Sequence, residues 1–286
     1  MDFLNNIKII FTDIKIAHTI FAMPFAVMSA FLAAEGMPEL GTFMWILVAM
    51  FSARNSAMAF NRIADVNIDR LNPRTKDRAL PSGKSTAKQY WVFLILSSFV
   101  FIFSAYMLNF LTFTLSPVAL GIVFGYSFAK RFTFLSHLWL GVAISIAPVG
   151  AWIAVREEIS LESLVLGAAV VFWLVGFDII YSCMDIDSDR YNNLNSIPQK
   201  FGVKTALRIA FSSHCMMLFF LLVLLFIPVL GLVYFFGVII TAALLFYEHS
   251  LVREDDLSLV NRAFFNVNGI ISVLLMLFVI VDCTLF

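Results

Sequence analysis

Apolar residues along this chain come in long runs, not in two-residue alternation or one-sided stripes. The runs recur nine times, at residues 15–34, 41–60, 89–108, 111–129, 134–154, 163–183, 207–226, 229–247 and 266–286. Each matches the roughly 17–25 residues that cross a bilayer. Backbone amides find no water in hydrocarbon, so such segments must be helical. The pattern predicts an all-α polytopic membrane protein of about nine transmembrane helices, forming a single domain over residues 1–286. The first run is too long for the apolar stretch of a cleaved leader and others follow it, so it reads as an uncleaved span.

Composition sharpens this picture. The chain is 61% hydrophobic and 13% charged, where a soluble domain has roughly 45–50% and 25%, and its mean hydropathy is +0.93. Thirty-two Phe residues exceed the needs of one core, which leaves many to face lipid or an isoprenoid chain. A net charge of zero gives no reason to expect a nucleic-acid partner. Cys183, Cys215 and Cys283 lie far apart in apolar runs and suggest neither a disulfide framework nor a zinc site.

The placement of charge says more than its sum. Lys8 and Lys15 precede the first run. Arg62, Arg70, Arg74, Lys76, Arg78, Lys84 and Lys88 follow the second, and Lys130 and Arg131 the fourth. Arg190, Lys200, Lys204 and Arg208 follow the sixth, and Arg253 and Arg262 the eighth. All fall on one side, with Arg54 near that end of its run, and only Arg156 lies opposite. The positive-inside bias therefore predicts a cytoplasmic N-terminus, cytoplasmic basic loops and an outward C-terminus. A bacterial inner membrane is the expected location.

Two acidic motifs stand at the ends of runs on that same side. The first is Asn61-x3-Asp65-x3-Asp69 and the second Asp178-x2-Tyr181-x3-Asp185-x3-Asp189. On a helix each set returns to one face, whereas Asp187 points away and serves as an internal control. Asn61, Asp65 and Asp69 are offset from Tyr181, Asp185 and Asp189 by 120 residues. This suggests two parallel four-helix repeats plus one further helix. A single acid at a span end is usually a solvated cap or the partner of a nearby arginine. Two one-face clusters in register across a repeat are better explained as carboxylates that hold Mg²⁺, which bridges readily to substrate phosphates. Such metals would stabilise charge on a departing diphosphate.

The loops beside the acids are basic. The segment from Asp69 to Lys84 is rich in Arg and Lys, with Pro73 and Pro81 shaping its turns. Arg74 and Arg78 suit bidentate phosphate contacts, while Lys88 reads as a topology anchor. Ser82-Gly83-Lys84-Ser85 imitates the end of a P-loop, but its earlier glycine would fall at Arg78 and no strand precedes it. In Tyr126-Ser-Phe-Ala-Lys130-Arg131, either cation could hold a substrate carboxylate or the diphosphate. His18 reads as a hydrogen-bonded helix contact. His137, His214 and His249 have no metal-binding spacing.

These motifs resemble the UbiA superfamily of intramembrane prenyltransferases, and the likeness spans nearly the whole chain. Tyr126 to Arg131 is similar to the Tyr-x3-Lys-Arg segment of 4-hydroxybenzoate polyprenyltransferases. One departure stands out: many members begin the first motif with Asn-Asp, and here Arg62 replaces that Asp. Arg54, Asn61-Arg62, Asn72-Pro-Arg-Thr75 and His18-Thr-Ile-Phe21 look more like the MqnP branch. So does Asp185-x-Asp-x-Asp189-Arg190 followed by Ser196-Ile-Pro198 and Phe201-Gly202.

The resemblance implies a UbiA-like bundle in the bilayer and Mg²⁺-dependent transfer of a polyprenyl group from polyprenyl diphosphate to an aromatic acid acceptor in quinone biosynthesis. The acceptor implied first is 1,4-dihydroxy-6-naphthoate, for menaquinone, and the alternative is 4-hydroxybenzoate. Asn61, Asp65, Asp69, Asp185 and Asp189 would hold metal. Arg74, Arg78 and Lys130 would add positive charge at the diphosphate, and Arg131 would bind the acceptor carboxylate. Asp178 and Tyr181 would position the metal site or the acceptor, and Arg54, Arg62 and Tyr126 would complete the substrate contacts. A CDP-alcohol phosphotransferase would need an Asp-Gly dipeptide, which is absent. A cation-coupled transporter would carry its acids at mid-span.

Overall fold

The computed structural model describes residues 3–14 and 21–285. The long spans form α3 (Leu40–Ala64), α5 (Ala87–Leu108), α6 (Phe110–Ala129), α7 (Ser136–Arg156), α8 (Leu161–Ser182), α11 (Val203–Val223), α12 (Leu232–Leu251) and α14 (Asn268–Leu285). Eight described helical segments are long and apolar enough to cross a bilayer. Of the expected run 15–34, α2 (Met23–Ala34) is described, and the stretch holding Lys15 and His18 lies outside the described residues. Short helices α4 (Val66–Leu71), α9 (Ile186–Tyr191), α10 (Ile197–Phe201) and α13 (Val260–Arg262) lie between the spans. The hydropathy pattern did not anticipate α1 (Phe3–Asp13), which precedes the first run. No β-strand occurs among the described residues; Arg253 and Asp256 form an isolated bridge.

Local chemistry sets the span ends. Thr86 opens α5 with a reciprocal capping box to Gln89. Asn109 breaks α5 from α6: its Oδ1 accepts the Thr112 amide at 2.7 Å, and its Nδ2 donates to Ile153 O at 2.8 Å. At the start of α12 the cap comes from another helix. Asp282 of α14 accepts the Gly231 and Tyr234 amides at 2.8 and 2.7 Å, placing a carboxylate at a helix N-terminus.

Packing builds the bundle around α8. α3 packs most heavily on α5 and α8 on α11, while α7 joins α2, α6 and α8. Helices approach closely where side chains vanish. A Cβ at Gly176 would come 2.2 Å from the His214 ring, and one at Gly141 would meet Val171 O at 2.8 Å. Trp173, fully buried, packs on Phe25 and Phe177 and donates its indole N–H to Asn268 Oδ1 at 2.7 Å. On α5, by contrast, Ile95, Phe99 and Phe103 are exposed. Such outward apolar faces suit hydrocarbon, and the chain is an integral membrane protein.

Candidate active site

The two acidic motifs lie at the same kind of structural event. α3 ends at Ala64 and α4 begins at Val66, leaving Asp65 at φ −99°, ψ 8°. In the second copy α8 ends at Ser182, a 3₁₀ turn covers Cys183–Asp185, and Asp185 sits at φ −103°, ψ 4° before α9. The expectation of one unbroken helix through each motif is therefore corrected. Both helices break at the same register position, in the sparsely allowed bridge region. The one-face arrangement survives because Asp65 N bonds Asn61 O at 2.9 Å and Asp69 N bonds Asp65 O at 2.8 Å. Asp69, Asp185 and Asp189 are buried, while Asp187 is exposed.

Each acid but one meets a cation or histidine. Arg74 embraces Asp185 with two bonds, Nε to Oδ1 at 3.1 Å and Nη2 to Oδ2 at 2.6 Å, and its Nη1 donates to the Tyr181 hydroxyl at 2.5 Å. Arg78 Nη1 lies 2.7 Å from both oxygens of Asp69. Arg131 Nη2 reaches Asp65 Oδ1 at 3.2 Å and Ala64 O at 2.6 Å, and Asn61 Nδ2 donates to Asp65 Oδ2 at 2.9 Å. The loop between α4 and α5 therefore spans the repeat: Arg78 turns to the first motif and Arg74 to the second. Asn72 makes this possible, because its Oδ1 accepts the Arg74 amide at 2.9 Å and fixes the turn.

Electrostatics knit the group together. Burial pushes the Asp65 carboxyl up, the Arg131 hydrogen bond offsets part of this, and the charge on Asp69 adds to it. Burial alone would lower Lys130, but the charges of Asp189, Asp178, Asp185 and Asp65 outweigh it and raise its ammonium group. Lys130 is held by its own backbone, since its carbonyl accepts the Asn195 amide at 2.7 Å. Tyr126 stands within electrostatic reach of Asp178, Asp65 and Asp189. All the acids of both motifs, with Arg74, Arg78, Tyr126, Lys130 and Arg131, thus gather at one end of the bundle.

Arg54 and Arg62, expected among the substrate contacts, bond the N-terminal segment. Arg62 Nε bonds Asp13 Oδ2 at 3.1 Å and its Nη2 bonds Asp13 O at 3.0 Å, while Arg54 Nη2 bonds Ile14 O at 3.0 Å. These bonds give both a structural part, tying the N-terminal segment to α3. Conversely, sequence reasoning passed over His137. Its Nδ1 lies 2.7 Å from Asp178 Oδ2 and its Nε2 faces the Ile197 amide at 3.4 Å. An amide can only donate, so Nε2 accepts and Nδ1–H donates to Asp178. A spacing of 41 residues carries no motif; only the packing of α7 on α8 brings the pair together.

Among the described residues no three His, Cys, Asp or Glu side chains converge closely enough to hold an ion unaided. The donor set nevertheless fits Mg²⁺, which commonly takes one or two carboxylates and completes its shell with water and phosphate oxygens. Asp189 Oδ2 is buried with no hydrogen-bond partner, an arrangement native proteins rarely leave unsatisfied. Five carboxylates face Arg74, Arg78, Arg131 and Lys130, a balance of minus one. A diphosphate brings about three more negative charges, so its binding calls for divalent cations.

Comparison with known proteins places this arrangement. The model of the UbiA prenyltransferase family matches residues 22–270. The chain is 32% identical over 249 residues to a 4-hydroxybenzoate octaprenyltransferase of Vibrio parahaemolyticus, covering 83% of both chains. It superposes on the apo structure of a UbiA homologue from Aeropyrum pernix K1 with a TM-score of 0.85 and 34% identity, over 93% of this chain and 98% of that one. A UbiA homologue from Archaeoglobus fulgidus bound to GPP and Mg²⁺ shares the fold, with a TM-score of 0.71 and 18% identity over 96% and 99% of the two chains. The chain belongs to the UbiA prenyltransferase family and is an intramembrane aromatic prenyltransferase.

Proposed function

We propose that this chain transfers a polyprenyl group from its diphosphate to 4-hydroxybenzoate. The observation that carries the transfer is the pair of register-matched acidic breaks, spanned by the two arginines of one loop. Support for the acceptor comes from the relatives named 4-hydroxybenzoate octaprenyltransferase. The homologue bound to GPP and Mg²⁺ supports a metal-assisted diphosphate site in this fold. The distribution of Lys and Arg supports a cytoplasmic acidic end, and the bacterial relatives support an inner membrane.

In this reading the prenyl tail lies among the helices and the diphosphate between Asp65–Asp69 and Asp185–Asp189. Mg²⁺ held by Asn61, Asp65, Asp69, Asp185 and Asp189 would supply the positive charge that stabilises the leaving diphosphate. Arg74, Arg78 and Lys130 hold its outer oxygens, the two arginines exchanging carboxylate contacts for phosphate contacts of the same geometry. The C1–O bond breaks with its electron pair going to the diphosphate. The ring carbon of the acceptor then bonds to C1 and sheds its proton. Asp178, oriented by His137, and Tyr181 position the acceptor face of the site. Arg131 meets the acceptor carboxylate, so Arg131→Ala is expected to raise the acceptor KM by about tenfold and the diphosphate KM by less. Equal changes in the two would remove Arg131 from this role.

A second reading, 1,4-dihydroxy-6-naphthoate as acceptor, is favoured by Arg62 after Asn61 and by the Asn72-Pro-Arg-Thr75 run. The deciding experiment incubates purified protein with Mg²⁺, one polyprenyl diphosphate and each acceptor at equal concentration, with products read by mass spectrometry. Faster turnover of 4-hydroxybenzoate is expected, and faster turnover of the naphthoate moves the assignment to the second reading. The same assay tests the faces of α9. Asp187→Ala is expected to stay within about threefold of wild type, as an exposed substitution should. Asp189→Ala is expected to lose about a hundredfold or more, as removal of a charge-stabilising group does. Equal losses in two folded variants would bring Asp187 into the site.

A further inference from the structure

The sequence offered no motif around Asp13, yet its carboxylate joins three elements. Oδ1 accepts the Ala79 amide at 2.8 Å. Oδ2 accepts the Tyr90 hydroxyl of α5 at 2.6 Å and Arg62 Nε of α3 at 3.1 Å. The Asp13 and Arg62 side chains are only 6% and 3% exposed, so this ion pair is shielded from solvent. Around it Ile10 and Ile14 pack with Ala59, Leu80, Tyr90 and Leu94 in one apolar cluster. Ala79 is the residue after Arg78, whose guanidinium grips Asp69, and it lies in the same loop as Arg74, whose guanidinium grips Asp185.

We infer that Asp13 is a positioning residue for the diphosphate: it pins the backbone at Ala79 and thereby holds the Arg74–Arg78 loop over the two acidic motifs. Arg62 is the counter-ion that keeps this carboxylate aimed, which gives the Arg that departs from the common Asn-Asp motif a purpose. α1 is then part of the site and not a mere leader to the first span. Other polar ties of the loop run to the acidic motifs: Arg74 to Asp185, Arg78 to Asp69 and Thr75 Oγ1 to Asp69 O. Its turns at Asn72–Lys76 and Arg78–Ser82 are internal, and its apolar anchor Leu80 sits in the cluster with Ile10 and Ile14. Asp13 is thus a polar link between the loop and both α3 and α5. This inference rests on the diphosphate site proposed above.

Asp13→Ala would delete every bond of this side chain at once, so the test uses Asp13→Asn, which keeps the shape and one accepting oxygen and removes only the charge that buried Arg62 pairs with. Tyr90→Phe is the comparison, because it deletes a bond to Asp13 without touching the bond to Ala79. The full chain in nanodiscs is assayed for the KM of a polyprenyl diphosphate and of the aromatic acceptor separately. Asp13→Asn is expected to raise the diphosphate KM about tenfold and leave the acceptor KM within about twofold, and Tyr90→Phe is expected to leave both within about twofold. Amide hydrogen exchange gives a readout independent of turnover. Residues 72–85 are expected to exchange about tenfold faster in Asp13→Asn while α8 is unchanged. Equal rises in both KM values, unchanged exchange over 72–85, or the full effect in Tyr90→Phe would overturn the inference. If Asp13→Asn does not accumulate folded, the wild type decides. Its Ala79 amide is expected to exchange at least about tenfold more slowly than that of exposed Lys84, and equal rates would overturn the inference. Failure of wild type to turn over any aromatic acceptor would instead refute the proposed function, and the exchange data would still judge the role of Asp13.

Discussion

Asp65→Ala and Asp185→Ala are each expected to lose at least about a thousandfold in turnover, the scale on which electrostatic stabilisation of a leaving group acts. Both residues occupy the helix break of their repeat, where the backbone leaves its regular path, and Asp65 there meets Arg131 while Asp185 meets Arg74. Loss of either removes one side of the proposed metal and diphosphate site. It also leaves a guanidinium, Arg131 or Arg74, without its carboxylate. Asp185→Asn separates these effects, because it keeps the shape and a hydrogen-bonding oxygen but not the charge. It is expected to be nearly as inactive as Asp185→Ala while melting close to wild type. Metal-stripped wild-type enzyme in excess EDTA is expected to be silent and to recover with Mg²⁺ or Mn²⁺. Robust turnover in EDTA, or a tenth of wild-type activity in either alanine variant, would contradict the assignment of these acids.

The spans were legible because one physical demand dominates them. A segment in hydrocarbon must satisfy its own backbone and present apolar side chains, and long apolar runs report both. The expected run 89–108 became Ala87–Leu108, and 163–183 became Leu161–Ser182, because the N-caps Thr86 and Ser160 open the helices two residues before those runs. The acidic faces were legible for a related reason: in the first motif helical period carries through a break that conserves the hydrogen-bond step, and in the second a single 3₁₀ turn interrupts it. The break itself was not legible. Nothing in the residues around Asp65 or Asp185 is a strong helix breaker, so tertiary packing decides where the helices part.

What escaped the sequence were partnerships between distant segments. His137 was dismissed for lack of metal-ligand spacing, yet it orients Asp178 across the α7–α8 contact. Asp13 lay before the first apolar run and within no motif. Arg62 stands out in the sequence as a departure from the common Asn-Asp motif, and only the folded chain shows its charge answered by Asp13. A buried charge needs a partner, and that rule could have flagged Arg62 as seeking one. It could not have named a residue 49 positions away.

Arg74→Lys is expected to lower kcat/KM for the diphosphate by about ten- to a hundredfold, and Arg74→Ala by about a hundred- to a thousandfold. The argument is geometric. Nε and Nη2 of Arg74 take the two oxygens of Asp185, Nη1 takes the Tyr181 hydroxyl, and the guanidinium carbon lies 5.0 Å from the Tyr181 ring centroid. One flat fork makes all of these contacts at once. An ammonium group offers a point charge that can satisfy one oxygen at a time, so a lysine keeps the sign of the charge and loses the aim. Stability should barely register the change. The Arg74 side chain is 39% exposed, and ion pairs this open contribute about 0–1 kcal/mol. A large kinetic loss beside an unchanged melting temperature therefore identifies a substrate contact. Tyr181→Phe supplies the inner comparison, since it removes one hydroxyl and leaves the fork on Asp185, and a loss of about tenfold or less is expected. Steady-state kinetics with diphosphate varied at saturating acceptor reads all three variants. Wild-type kcat/KM in Arg74→Lys would show that charge alone suffices at this position, and the bidentate role would fall.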